Sequence, residues 1–429
     1  MNHLKKNAPY LLAGLLLLTC VGIVVATNYQ SFFGASSTIG GSPLDSEIRK
    51  GEAVIRTHPS VAKPYLTLAS LYLQKSRETS DSSYYTKIIA LMESAEKLEP
   101  ENPDIQATLA SVSLGRHDFQ GAKMYIDKAI SRNDYVAAYY GLLGDADIEL
   151  GRYREAVDAY QKMVNIRPSF NSWSRIAYVR ELYGDTAGAQ IALEEAINAG
   201  SAYPENIAWA YVELGKLQLR SDTEKAKESF TTALAILPTY SQAKEGFGKV
   251  SFAQNDVSEA EKQFTAAYNL LPLAQYSTDL GDLYLKTGDT VKAAQQYALT
   301  EAAFAQSRKG GVNTDLEEAL FLADHDLRLT EALSLAESAY QKRPSMSAAD
   351  TYAWALFKNG KIQEALRLRD AVFTLGMNDA GVLYHQAQIA KGSGDTVQAK
   401  KYVERAYVVS PYPPMQYAED LEELRGALK

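Results

Sequence analysis

Cysteine is all but missing from this 429-residue chain. Cys20 is the one present, so an intrachain disulfide and a cysteine-built metal site are both excluded. Histidine is scarce as well: the five (His3, His58, His117, His325 and His385) show no paired metal-ligand spacing. The chain also lacks a GxSxG nucleophile elbow and a phosphate-cradling P-loop. Bases are outnumbered, 44 Lys and Arg against 52 Asp and Glu, and no basic stripe offers a footprint for nucleic acid. The expectation is therefore no enzyme activity, no catalytic residue, no metal and no cofactor. "ADHD", Ala323 to Asp326, sets acids around a histidine and reads as the solvated end of a helix. "RKGGVN", 308–313, reads as a linker, because its glycines do not lie between a strand and a helix.

Long apolar runs are missing too, with one exception at the start. Lys5 and Lys6 precede an uncharged run from Tyr10 to Ala26, and the first 26 residues carry no acid. Basic residues ahead of such a run hold the N-terminus in the cytoplasm and put the rest of the chain across the membrane. Three readings are open: a retained single-pass anchor, a signal peptide cut near Ala26, and a lipoprotein signal ending at Cys20. All three place the bulk of the chain outside the cytosol, with inner-membrane attachment and a periplasmic or exterior face expected from the anchor. Residues 27–43, "TNYQSFFGASSTIGGSP", are rich in Ser and Gly without periodicity and read as a flexible tether.

What the chain has in abundance is a recurrence. In "LGDADIELGRYREAVDAYQKMVNIRP", Leu143 to Pro168, a small residue in a helical pattern is followed by a turn glycine, a second helical stripe and a closing proline. With Ala156 as marker, the same place returns at Ile88, Ala122, Ala189, Ala226, Ala260, Ala293, Ala332, Ala365 and Ala399, at steps of 33 to 39 residues. Twelve residues before most markers lies another small residue, among them Gly144, Gly248 and Gly281; in the fifth repeat Gly215 sits one residue closer. Four residues after the marker, Tyr160, Phe230, Phe264 and Tyr297 supply rings for the hollows so left. One helix pair buries too little to stand alone, so the recurrence governs the whole architecture.

These repeats resemble the tetratricopeptide repeat (TPR), a helix–turn–helix module, and among its members are similar to bacterial envelope TPR proteins of unassigned biochemistry. The resemblance implies an all-α fold: a right-handed TPR superhelix, an α-solenoid of about ten helix–turn–helix repeats over 61–411, beyond an N-terminal membrane segment. A capping helix is expected over 44–60 and another over 412–429, with 1–26 as anchor or signal. Insertions near "NAGSAYPENI" and "AQSRKGGVNT" are expected to mark bends dividing the array into three runs.

First helices of such repeats line a concave groove that binds protein or peptide. The Lys and Asn pattern of a carboxylate clamp is missing at the fifth places, where Leu66, Ala107, Gly141 and Ser174 stand in the first four repeats. The expected contact residues are Tyr178, Trp209, Lys216 and Lys249 in the fourth to sixth repeats, and Phe321, Trp354 and Tyr384 in the later ones. Packing between first helices is the competing reading for the rings. Two functions follow: a non-catalytic scaffold binding protein partners in an envelope-associated assembly, or an accessory subunit of polysaccharide synthesis or export that binds polymer or synthase. The partners expected are proteins or peptides, the membrane through residues 10–26, and polysaccharide under the second function; nucleic acid is not among them.

Overall fold

Small residues at fixed intervals let helices approach closely, and the chain is built from such pairs. A computed structural model describes residues 43–376 and 379–428; the apolar run 10–26 and the stretch before Pro43 lie outside the described residues. Helix α1 (Pro43–Thr57) precedes α2 (Ala62–Thr79) and α3 (Ser83–Leu98), α4 (Pro103–Gly115) and α5 (Phe119–Arg132), and α6 (Ala137–Glu149) and α7 (Tyr153–Ile166). The next pairs are α8 (Phe170–Leu182) with α9 (Thr186–Ala199), α10 (Pro204–Leu219) with α11 (Thr223–Ile236), and α12 (Ser241–Ala253) with α13 (Val257–Leu270). Then come α14 (Ala274–Lys286) with α15 (Thr290–Lys309), and α16 (Asp315–Asp324) with α17 (Leu329–Lys342). Helix α18 (Met346–Lys358) is followed by a second helix divided at Leu368 into α19 (Ile362–Arg367) and α20 (Arg369–Val372). Helices α21 (Ala380–Gly392) and α22 (Thr396–Val409), a 3₁₀ turn at Met415–Tyr417 and α23 (Ala418–Ala427) complete the order. Among the described residues there is no strand, and no helix is long and apolar enough to cross a membrane.

The pairs close on the recurring positions. Nine of the ten markers, Ile88 included, have no exposed surface, and Ala293 has 2 %. Where the first helix carries glycine, the ring four residues past the marker lies directly on it. A Cβ added at Gly215 would sit 2.6 Å from Phe230, and one at Gly144, Gly248 or Gly281 would collide with Tyr160, Phe264 or Tyr297. Side chains of any size there would push the helices apart.

The turns have a common chemistry. The residue before the second helix's cap takes a left-handed conformation, supplied by glycine at Gly184 and Gly394 (φ 77° and 88°) and at higher steric cost by His117 and Asn255 (57° and 63°). An aspartate then caps the helix: Asp118, Asp185, Asp256 and Asp395 each accept a backbone N–H three residues on, at 2.8–3.0 Å. Loss of such a cap costs about 1 kcal/mol. Asp256→Ala is expected to lower the chemical-denaturation stability of its repeat by that amount, whereas Asp256→Ser is expected to keep most of it.

The described chain forms two compact modules, one of residues 43–168 with 307–313, the other of 169–306 with 314–428. Along the chain the boundaries fall between Pro168 and Ser169 and at both ends of 307–313, within the second of the two insertions. The stretch read as a linker is held firmly within the first module. Arg116 Nε donates to the Gly311 carbonyl at 2.9 Å, Asn313 N–H to the Arg116 carbonyl at 3.0 Å, and Val312 packs beside the buried cluster of Tyr85, Ile88 and Met92. These bonds satisfy backbone groups that a free linker would leave to water.

Candidate functional site

The first helices carry polar side chains in register from one repeat to the next. In the first module the Tyr139 hydroxyl donates to Asp104 at 2.5 Å, one repeat back, and the Tyr160 hydroxyl to Asp145 at 2.9 Å. Asp147 is also buried, and burial pushes its carboxyl up to about 6 against the pull of Lys123 and Arg152.

The second module extends this pattern into a ladder of charges. Arg220 pairs with Glu181, Lys216 with Glu213 at 3.0 Å, and Lys249 with Glu245, which also accepts from Gln275. The Lys249 ammonium lies 3.8 Å from Asp279. Burial raises the Asp279 carboxyl well above its usual range, with Lys249 opposing this. Farther along, Asp282 accepts from the Tyr297 hydroxyl at 2.9 Å and faces His325 Nε2 at 2.7 Å.

The ladder ends in a dense cluster on α16, α18 and α21. His385, 1 % exposed, holds Asp350 through Nδ1 at 2.8 Å and lies 3.5 Å from Asp324. Its Nε2 reaches the Tyr417 hydroxyl at 3.0 Å, and that hydroxyl donates to Asp324 at 2.7 Å. The Trp354 indole N–H takes the other Asp324 oxygen at 2.8 Å, and its ring stacks on His385 with centroids 4.4 Å apart. Burial works to lower the imidazole's proton affinity, but Asp350 and Asp324 overcome it and hold the group up at about 9. His385 is thus an imidazolium between two carboxylates, with both ring N–H groups donating.

This arrangement locates the sequence-predicted contact residues. Trp209, Phe321, Trp354 and Tyr384 are each 5 % exposed or less. Trp209 packs edge-on against Phe170, Phe321 lies among Phe304, Tyr297 and His325, and Tyr384 stacks on Tyr417. These four rings fill the space between helices, so the packing reading describes them and little of their surface is offered to a ligand. Lys216 and Lys249 keep 30 % and 38 % of their side chains exposed, though each already pairs with a glutamate. Tyr178 is half-buried. The structure brings Phe321, Trp354 and Tyr384 into one buried cluster; Trp209 is not in it.

"ADHD" is a correction of the opposite kind. It is a solvated helix end only in part: the Asp326 side chain is 65 % exposed beside Lys358, but those of Asp324 and His325 are 8 % and 7 % exposed, each engaged across repeats. The residues missed by sequence reasoning are Asp282, Asp324, Asp350, His385 and Tyr417. A signal existed for some, since a donor one repeat after an acid recurs at Tyr139 with Asp104, Tyr240 with Glu205, and His385 with Asp350. No group of acids, histidines or cysteines among the described residues could hold a metal ion.

The charge state of the cluster fixes a pH response. An imidazole raised from its ordinary 6.5 to about 9 adds stability in full below pH 6.5 and loses it as pH climbs to about 9. Asp147, raised by burial to about 6, also favours the fold at the acid side, because ionising it inside costs energy. The free energy of unfolding is therefore expected to fall between pH 6 and pH 9.5, by about 3 kcal/mol from His385. His385→Gln is expected to flatten that slope; a variant with the wild-type slope would show that another group titrates.

A family model described as Tetratricopeptide repeat matches residues 137–170, which hold α6 and α7. The chain is 26 % identical over 169 residues to the protein CTR9 homolog of Arabidopsis thaliana, covering 37 % of this chain; the match spans 15 % of that relative's length. Among solved structures it is similar to yeast Tom70, at 14 % identity and TM-score 0.41, covering 90 % of this chain and 95 % of that one. It is also similar to a tetratricopeptide repeat protein from Parabacteroides merdae, at 17 % identity and TM-score 0.35, covering 60 % and 98 %.

Proposed function

We propose that this chain is a non-catalytic scaffold binding protein partners in an envelope-associated assembly, a reading supported by the tetratricopeptide-repeat match over 137–170 and by the recurrence of that helix-pair geometry. Stacked helix pairs give an extended surface assembled from many repeats, which suits the capture of another chain. The observation carrying the reading is the ten buried marker positions, which keep helix pairs stacking along the chain. The envelope part of the proposal rests on Lys5, Lys6 and the uncharged run to Ala26. Within the binding surface, Tyr178, Lys216 and Lys249 retain exposed area for a partner.

Capture from membranes by the tagged full-length chain tests this. Proteins enriched over an untagged control are expected, and the product is expected in the membrane fraction. Retention of polysaccharide without protein partners would favour the accessory role in polymer synthesis or export. A cytosol-active reporter fused after Lys429 is expected to be silent; activity there would refute the orientation.

A further inference from the structure

The stretch between α22 and α23, together with the first turn of α23, reaches helices far from it in sequence, and it does so through side chains. Three prolines (Pro411, Pro413 and Pro414) remove backbone donors there, and the bond that turns the chain is Tyr417 N–H to the Pro414 carbonyl at 3.0 Å. Four side chains then make specific contacts. Met415 packs against the apolar cluster of Ala260, Phe264, Leu280 and Leu283. The Tyr417 hydroxyl sits between Asp324 and His385, 93 and 32 residues away. Glu419 lies 3.5 Å from the Lys286 ammonium, and Asp420 accepts the Tyr384 hydroxyl at 2.6 Å. Each receiving group belongs to a first helix or its neighbour, on the face expected to take a partner.

We propose that this face is a recognition site for a peptide segment carrying an apolar residue, a tyrosine two places on and acids two and three places after that. Residues 415–420, Met-Gln-Tyr-Ala-Glu-Asp, fill it until a partner's segment of that pattern replaces them. The receiving set reads each feature separately: a hydroxyl that can accept from His385 and donate to Asp324, an acid opposite Lys286, and an acceptor for Tyr384. Phenylalanine lacks the hydroxyl and would leave two buried polar groups unpaired. Residues 415–420 are a 3₁₀ turn and the first turn of α23, and a helix terminus held by side chains belongs to the part of a protein that opens first. The inference rests on the scaffold reading, and adds to it which segment is bound and where.

The test uses the full-length chain and a fluorescent peptide copying residues 411–424. Wild-type protein, already filled, is expected to bind it weakly. Tyr417→Ala is expected to bind it at least ten-fold more tightly, and Asp324→Asn in that background to undo the gain. A peptide with its own tyrosine changed to alanine is expected to gain nothing. A folded Tyr417→Ala chain that binds no better than wild type, or binds both peptides alike, overturns the proposal. Should that variant not fold, amide exchange in the wild type decides: 415–420 is expected to exchange at least ten-fold faster than α16, α18 and α21. Exchange no faster than in those helices overturns the proposal too. A chain that captures membrane partners but takes up no peptide loses this site and keeps the scaffold role; the reverse result keeps the site and loses the role.

Discussion

Phe230→Ala is expected to cost about 3–5 kcal/mol, the range for emptying a fully enclosed aromatic site. Phe230 has no exposed surface, and its ring is gripped between Gly215 on α10 and Gly246 on α12. It therefore joins a first helix, a second helix and the next first helix at one point. Neither glycine has atoms with which to refill the hole, and Phe247, at a centroid distance of 6.1 Å, is only partly buried. Gly246→Ala attacks the same contact from the other side and is expected to cost about 1–3 kcal/mol by overpacking. Equilibrium denaturation in urea, with local amide exchange over α10 to α12, measures both. A loss below about 1 kcal/mol for Phe230→Ala would show that this register of rings and glycines does not hold the repeats together.

The second large effect belongs to the buried charges. Asp350→Ala leaves the His385 imidazolium with Asp324 alone, and breaking one partner of a buried pair costs about 3–5 kcal/mol. The geometry predicts a pH dependence that a simple packing defect would not have. Wild-type protein gains from the protonated imidazole below pH 6.5 and loses that gain by about pH 9. The difference between wild type and Asp350→Ala is therefore expected to be largest near pH 6 and to shrink by pH 9.5. A pH-independent difference would mean that Asp350 acts by volume. Replacing His385 and Asp350 together by leucine is expected to cost much less than the two single losses combined, since no unpaired charge is left.

The repeat was legible in the sequence because its determinants are local. A small residue every 33 to 39 positions, a ring four places later and an aspartate at the turn each act within one helix pair or between neighbours. Ile88 shows that size at the marker can vary, since it is as enclosed as the alanines. The site was less legible because its contacts skip repeats. Tyr417 meets Asp324 across 93 residues, and Arg116 meets Gly311 across 195. Such meetings depend on small rotations accumulated from repeat to repeat, which no single period encodes. Trp354 and Tyr384 look groove-facing by position, but Tyr384 is covered by Tyr417, and Trp354 by Tyr384 and His385 of the next first helix. The polar character of "ADHD" suggested water, which holds for Asp326, but Asp324 and His325 are satisfied by partners from other first helices.

Melting and partner capture on the same set of variants test most directly the claim that the buried rings hold the array while the exposed polar groups bind. Trp354→Ala and Trp209→Ala are expected to melt earlier, with about 3–5 kcal/mol lost, and to capture partners in proportion to the folded fraction. Lys216→Ala with Tyr178→Ala is expected to capture less than its folded fraction accounts for, while Lys216→Ala also loses stability because the buried Glu213 is left without its ion pair. Tryptophan variants that melt as wild type yet lose their partners would contradict the account.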